Sequence, residues 1–203
     1  MTPRPLIVSD CDGVLLHFIA PFIAYLEQQH GLTLKLDTFA LTGNVKRADG
    51  TPVPAAEFPP LLDGFFADWM HNQHPIAGAP DALSQLARDC DVVVLTNIAD
   101  HHAARRTTEL ARLGMPYRVI GNQGGKGVPL KKLLDEFHPS EAIFIDDLPP
   151  NHSSVATHVP HVHRLHMVAE PEVRHLIPQA PDAHARHDDW PAMLSHIETI
   201  LKG

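Results

Sequence analysis

Asp10 and Asp12 stand two positions apart, directly after the apolar run Leu6-Ile7-Val8 and just before Gly13. A buried strand that ends in two carboxylates is one way to build a site, because ligands of open parallel sheets bind at the carboxyl ends of the strands. In an extended segment residues i and i+2 point the same way, so both carboxylates could face one ligand. Asp and Gly also end strands for plain turn reasons, and the pair alone leaves both readings open. Val92-Val93-Val94-Leu95 runs into Thr96-Asn97 in the same manner, with small side chains that serve either as ligand donors or as the cap of a following helix. Ile143-Phe144-Ile145 runs into Asp146-Asp147. Adjacent acids after a buried strand are unfavourable unless paired or bound to a cation, and a hard divalent ion such as Mg2+ takes oxygen ligands of this kind. Lys126, in Gly124-Gly125-Lys126-Gly127, precedes a helical pattern. A lysine in such a loop is ordinarily solvated, and the glycines match neither a P-loop nor a dinucleotide fingerprint.

The elements that would position these groups follow from periodicity. Short apolar runs at Leu6–Val8, Asp91–Leu95, Tyr117–Ile120 and Ala142–Ile145, with a weaker one at 161–165, predict strands. The stretch 99–113 predicts a helix, with Asp100 near its start and Gly114 just past its end. Leu130, Leu133, Leu134 and Phe137 share one helical face, with Pro129 in the first turn. This alternation predicts an α/β fold with a doubly wound, mostly parallel, Rossmann-like sheet covered on both faces. Residues 17–76 break the pattern. Ile19, Phe22, Ile23 and Leu26 form one amphipathic stretch stopped by Gly31, and Leu62, Phe65, Phe66 and Trp69 form another. We read 17–76 as a small helical cap inserted after the first strand, its aromatics packing its own core, and 1–16 with 77–203 as the α/β core. Trp190, Met193, Leu194, Ile197 and Ile200 predict a final amphipathic helix.

With 203 residues, 44% hydrophobic and 20% charged, the chain can bury a core without disulfide or metal staples. A formal charge of −8 works against binding a nucleic acid duplex or an anionic membrane, although it leaves room for a local basic pocket. No apolar run approaches the roughly 20 residues of a membrane span, and the first residues carry no secretory pattern, so the expectation is a cytoplasmic protein with no membrane partner. Two cysteines, Cys11 and Cys90, make neither a disulfide framework nor a zinc spacing. Nine of the sixteen histidines fall between His152 and His196, and His161, His163 and His166 match no metal motif. That region is expected to be partly exposed and interrupted by proline.

In this order, the strand bearing Asp10 and Asp12, the strand ending in Thr96, the loop lysine Lys126 and the strand ending in Asp146-Asp147 resemble the four motifs of the haloacid dehalogenase-like hydrolase superfamily, in its phosphatase branch. The resemblance covers about 5–16 and 76–165. It implies a Mg2+-dependent phosphatase acting on a small phosphorylated metabolite through an aspartyl-phosphate intermediate. Asp10 would be the nucleophile, already ionised at neutral pH, and Asp12 the general acid and base. Thr96, the Asn97 backbone and Lys126 would surround the phosphate oxygens. The metal would be held by Asp10, the Asp12 backbone carbonyl and one of the two adjacent acids, Asp147 favoured with Asp146 supporting, or the reverse. Cys11, between the two aspartates, is assigned no role. Asn151 stands where many relatives have an acid, which bears on metal affinity. The cap would set the substrate, with His17, Phe18, Lys46 and Arg47 as contacts and the last two offering charge to a second anionic group; solvated loop positions are the alternative for each.

Three rival readings share parts of this pattern. A carbon–halogen hydrolase of the same superfamily has little use for Asp12 or Asp147. A phosphotransferase or mutase shares the site and differs in what accepts the phosphoryl group. A non-catalytic module that binds a phosphorylated ligand would be expected to have lost the nucleophile or a metal ligand, and neither is lost here.

Overall fold

The computed structural model describes residues 2–38 and 40–203. Leu6–Ser9 forms strand β1. The chain then leaves the sheet for a lobe made of helix α1 (Ile19–His30), strands β2 (Thr33–Leu34) and β3 (Val45–Lys46), and helix α2 (Phe58–Gly64), which runs on through a wider π turn at Phe65–Trp69. Helix α3 (Ala79–Leu86) returns to the sheet. There follow β4 (Asp91–Thr96), α4 (Asp100–Arg112), β5 (Arg118–Gly121), α5 (Gly127–Phe137), β6 (Ala142–Asp146), α6 (Pro149–His158), β7 (His163–Met167), β8 (Ala185–His187) and α7 (Trp190–Lys202).

Six strands make one parallel sheet in the order β5-β4-β1-β6-β7-β8. Its central strand β1 is paired on both sides, Val8 opposite Val93 and opposite Phe144, and both faces of it are buried, which is why it reads as an unbroken apolar run. Ile7 turns to the face covered by α3 and α7, while Leu6 and Val8 turn to the face covered by α5 and α6. The predicted class is therefore observed. The chain passes from β1 outward through β4 to β5, then crosses back to β6 on the other side, so a crevice opens beyond the carboxyl ends of β1 and β6.

Several elements differ from expectation for local reasons. The lobe is not wholly helical, because β2 and β3 pair as an antiparallel hairpin. Helix α3 is short but buries Ala79, Ala82, Leu83 and Leu86 on one face, whereas α6 lacks a legible apolar period, opening on Pro149-Pro150 and burying Asn151 and His152 beside Val155. The C-terminal region is partly exposed and interrupted by proline as expected, yet it also packs on the core. Val173 and Ile177 are buried, β8 extends the sheet, and His152 and His166 are fully inaccessible. In the lobe, Phe22, Tyr25, Leu26, Phe58, Phe65 and Met70 pack together as anticipated, Phe22 meeting Phe65 edge-on at 5.4 Å. Gly31 closes α1 in the left-handed conformation. Lobe and core join through two adjacent passages, where His17 N–H donates to the His74 carbonyl and Ile76 N–H to the Leu15 carbonyl, both at 2.9 Å. Among the described residues, no helix is long and apolar enough to cross a membrane.

The predicted final helix is anchored by Trp190, whose buried ring packs in the main core and whose Nε1–H donates to the Val14 carbonyl at 2.9 Å, bracing the loop that follows β1. Trp190→Phe keeps most of the packing and should lower stability by about 1–2 kcal/mol through the unpaired carbonyl. Trp190→Ala should lower it by about 3–5 kcal/mol. Urea unfolding measures both, and equal losses would refute packing as the larger contribution.

Candidate active site

The end of β1 is held in line with β6 by the Asp10 N–H, which donates to the Ile145 carbonyl at 2.8 Å. Immediately afterwards the chain folds on itself, with the Leu15 and Leu16 N–H groups both on the Cys11 carbonyl. Gly13 sits in this loop at φ +81°, and a Cβ there would lie 2.8 Å from Asp147 Oδ2. Glycine is needed twice over, for the left-handed backbone and for the approach of Asp147. Cys11 is fully buried, and burial pushes its thiol well above the ordinary range, so it offers no exposed nucleophile.

Lys126, at the start of α5, is 0% exposed rather than solvated. Its Nζ lies 2.7 Å from Asp10 Oδ1 and 2.7 Å from Asp146 Oδ2. Asp146 spends its other oxygen on the Leu148 N–H and Asn151 Nδ2, both at 2.9 Å. The Asn151 position therefore serves Asp146 directly. Asp147 is left free by comparison: its Oδ1 is buried with no hydrogen-bond partner. Thr96 is buried with its Oγ1 3.5 Å from Asp12 Oδ2. The Asn97 side chain donates to the Gly124 carbonyl at 3.2 Å and accepts from Asn122 Nδ2 at 2.8 Å, which pins the loop that delivers Lys126.

Asp12 has partners that the motif reading did not anticipate. Its Oδ1 accepts from Gln73 Nε2 at 2.7 Å and from Arg106 at 2.9 Å, and the same Arg106 nitrogen reaches Oδ2 at 3.1 Å. Arg106 also donates to Gln73 Oε1 at 2.8 Å, which closes a ring of three side chains. Arg106 is fully buried, with its guanidinium 5.5 Å from the Phe66 ring centroid. Burial opposes its charge, but its neighbours together, Asp12 foremost and Asp10 among them, more than offset this and hold its pKa above the ordinary value. A signal was present in the sequence: the inward positions of α4 are His102, Arg106 and Leu110, two polar residues where a core-facing helix ordinarily carries apolar ones.

Four carboxyl groups thus meet two buried cations. The imbalance appears in the acids, since burial raises Asp10 to about 7 against the opposing pull of Lys126. Asp147 is raised well above the usual carboxylate range by burial and then by Asp146 and Asp10. Lys126 is held above its ordinary value because Asp10 and Asp146 outweigh desolvation. Asp10, Asp146 and Asp147 each present a ligand oxygen within 4.8 Å of the others. An oxygen-only donor set with one buried, unpartnered carboxylate oxygen fits a hard divalent cation.

Above this floor lies a cavity of about 370 Å³, roofed by the lobe. Phe18 and Ile19, Leu41, and Phe58, Leu62 and Phe66 supply the roof, and Glu170 and Val173 the far wall. Phe18 lines the cavity. His17 instead turns to Glu170, Nδ1 to Oε2 at 3.0 Å, and does not line the cavity. Lys46 lies in the β3 hairpin and Arg47 pairs with Glu57 at 2.7 Å; neither lines the cavity. Glu170 was not anticipated. One of its oxygens accepts from the Phe18 and Ile19 N–H groups, so it caps the start of α1 from the core side.

Two buried histidines hold the acidic turn. His152 Nε2 donates to the Asp146 carbonyl at 3.0 Å and His166 Nε2 to the Asp147 carbonyl at 2.8 Å. His166 Nδ1 accepts from the Ala180 N–H at 3.1 Å, so the ring is neutral, and burial lowers its pKa to about 4. Between about 4 and the ordinary 6.5 the unfolded chain binds a proton at this position that the folded chain does not, so the stabilisation from His166 fades as pH falls through that window. The destabilisation caused by His166→Gln should accordingly shrink from about pH 7 to about pH 5 in urea unfolding, and a constant difference would refute the assignment. Arg106→Met, which leaves Asp12 with Gln73 and the longer contact to Thr96, should lower stability by about 3 kcal/mol. Asp12→Asn in the same chain should recover part of that loss, a coupling read from the two single variants and the double variant.

No protein-family profile and no curated protein matches this sequence. Solved structures do. A haloacid dehalogenase-like family hydrolase from Streptococcus pneumoniae superposes with a TM-score of 0.65 at 13% identity, covering 97% of this chain and 100% of that one. A haloacid dehalogenase-type hydrolase from Bacillus subtilis, described bound to magnesium, gives 0.66 at 15% identity over 97% and 99%. A protein from Bacteroides vulgatus named as a beta-phosphoglucomutase gives 0.64 at 14% identity over 98% and 90%. The chain has the fold of the haloacid dehalogenase-like hydrolases.

Proposed function

We propose that this protein is a Mg2+-dependent phosphatase that hydrolyses small phosphate monoesters through an aspartyl-phosphate on Asp10. The observation that carries the reading is the Lys126 ammonium held 2.7 Å from both Asp10 and Asp146, beside an Asp147 oxygen that is buried and unpartnered. That is a charged box short of positive charge and open to the cavity only on the side of Asp10, Asp12 and Asp147. The fold's likeness to hydrolases and to a protein named as a phosphomutase, one of the hydrolases described with magnesium, supports the same chemistry.

Asp10 and Asp147, with the Asp12 backbone carbonyl, would hold Mg2+, and Asp146 would support it through Lys126. When bound, the ion would neutralise charge on the phosphate oxygens. In the reaction an Asp10 oxygen attacks phosphorus and the ester P–O bond breaks. Asp12 gives its proton to the departing oxygen, which leaves as the alcohol. Asp12 then takes a proton from a water that attacks the acyl-phosphate, releasing inorganic phosphate and restoring the Asp10 carboxylate. Thr96 Oγ1 and the Asn97 N–H would donate to phosphate oxygens, with Lys126 balancing their charge. Arg106 and Gln73 hold the Asp12 carboxyl in one orientation through both steps. Residues 17–76 act as the cap that closes over the substrate and excludes water.

Phosphate release from a panel of monoesters, with and without Mg2+, tests this. The native protein should be active only with the metal, and Asp10→Asn should lose ~10³-fold or more in kcat while remaining folded. Release indifferent to Asp10 would overturn the mechanism. Trapping of one phosphate per chain without turnover would move the reading to a phosphotransferase.

A further inference from the structure

The cavity above the acids is unlike its floor. Phe18, Leu41, Phe58, Leu62, Phe66 and Val173 form a continuous apolar roof and wall, while the polar side chains are confined to the acids below, Thr96 and Asn97 beside them, Thr42 at the edge and Glu170 at the rim. Among the described residues no Lys, Arg or His side chain lines it. Glu170 already serves the Phe18 and Ile19 N–H groups with one oxygen and His17 with the other, so it has little left for a ligand hydroxyl. Its carboxylate also makes the rim repel a second anion. Lys46 and Arg47, the cations that a second anionic group would need, face elsewhere.

Resting on the phosphatase reading above, we infer that the group esterified to phosphate is apolar and uncharged: the substrate is the phosphate monoester of an aromatic or aliphatic alcohol, not a sugar phosphate and not an ester carrying a carboxylate or second phosphate. The phosphate goes down to Asp10, where charge and hydrogen bonding are concentrated, and the alcohol goes up against the aromatic roof. A sugar there would bury hydroxyls without partners, and a hydrocarbon would bury only area that gains from leaving water. At about 370 Å³ the cavity stands near the lower end of ligand pockets, roughly 300–1,000 Å³, and suits a single ring or a short chain.

The test compares esters of primary alcohols, so that leaving-group chemistry stays similar: benzyl phosphate and hexyl phosphate against glycerol 3-phosphate, glucose 6-phosphate and phosphoglycolate. With Mg2+ present, kcat/KM for benzyl or hexyl phosphate should exceed each polar ester by about 30-fold or more. Leu62→Lys, a change on the partly exposed cavity wall, should lower the benzyl phosphate value and raise that for phosphoglycolate, shifting their ratio by about 10-fold. Equal or reversed preference among active esters would overturn this inference and leave the phosphatase reading standing. A second readout separates the two failures in the other direction: benzylphosphonate should bind Asp10→Asn by calorimetry at least about 10-fold tighter than methylphosphonate, and phosphonoacetate no tighter. Preferential binding of benzylphosphonate by a folded protein that hydrolyses no ester would overturn the phosphatase chemistry while upholding the apolar ligand class. Failure of both readouts would sink the inference.

Discussion

Asp10, Asp12, Asp146 and Asp147 bring four carboxyl groups to the carboxyl ends of β1 and β6, with the buried Lys126 and Arg106 set against them, and much of the surrounding structure follows from that imbalance. Like charges this close in a poorly solvated site repel strongly, so each acid is given its own means of support. Asp12 takes Arg106 and Gln73, Asp146 takes Lys126, Leu148 N–H and Asn151, and Asp10 shares Lys126. The carbonyls of the acidic turn are fixed by His152 and His166. Asp147 keeps a buried oxygen with no hydrogen-bond partner and, unlike Asp10, no lysine against it, and it is the acid that Gly13 allows closest to the β1 loop.

The lobe is tied to this centre through the same groups. Phe66 packs in the lobe core, lines the cavity and lies against Arg106, so the residue that orients Asp12 also touches the roof. Glu170 reaches from the core to the first turn of α1, and Asp63 on α2 accepts from His102 Nε2 at 2.8 Å on α4. Roof position and acid geometry are therefore linked through Phe66 and Arg106, with Glu170 and the Asp63–His102 contact tying the lobe to the core. A lobe displaced from the core would lose the cap on α1, the Asp63–His102 contact and the apolar cover over the acids together.

How much of this could be read beforehand depends on the range of the interactions involved. Strands β1, β4 and β6 were legible because a strand buried on both faces is apolar at every position, and the acids directly after them stood out for that reason. Lys126 enters the site through its resemblance to a family motif, because no local pattern says which way a loop turns and a lysine in such a loop is ordinarily solvated. What turns it inward is packing: Gly127 lets α5 approach α6 so closely that a Cβ would meet the Ser154 carbonyl at 2.2 Å. Glu170 acts on Phe18, 152 positions away, and Gln73 on Asp12, 61 away, and neither carries a local signature. Lys46 and Arg47 offer charge in a lobe loop, but charge does not locate a side chain, and Arg47 pairs with Glu57 instead.

The arrangement around Lys126 explains why a second buried acid belongs in a site that already has more acid than it can easily hold. Closing an apolar roof over Asp10 strengthens every charge interaction beneath it, yet the same loss of water favours the protonated carboxyl, which cannot attack phosphorus. A lysine paired with Asp10 alone would not cure this, because in a dry site a lone ion pair can relax by moving its proton from nitrogen to oxygen. Asp146 blocks that escape. It is fully buried, held by the Leu148 N–H and Asn151, and aimed at the same Nζ, so the ammonium faces two carboxylates and is kept charged. A cation that cannot give up its proton is one that can oppose the neutralisation of its neighbour. Asp146 repels the Asp10 charge directly, which favours the protonated carboxyl, but it also keeps Lys126 charged, so the cavity can be dry above Asp10 while the proposed nucleophile retains a fixed positive charge at 2.7 Å.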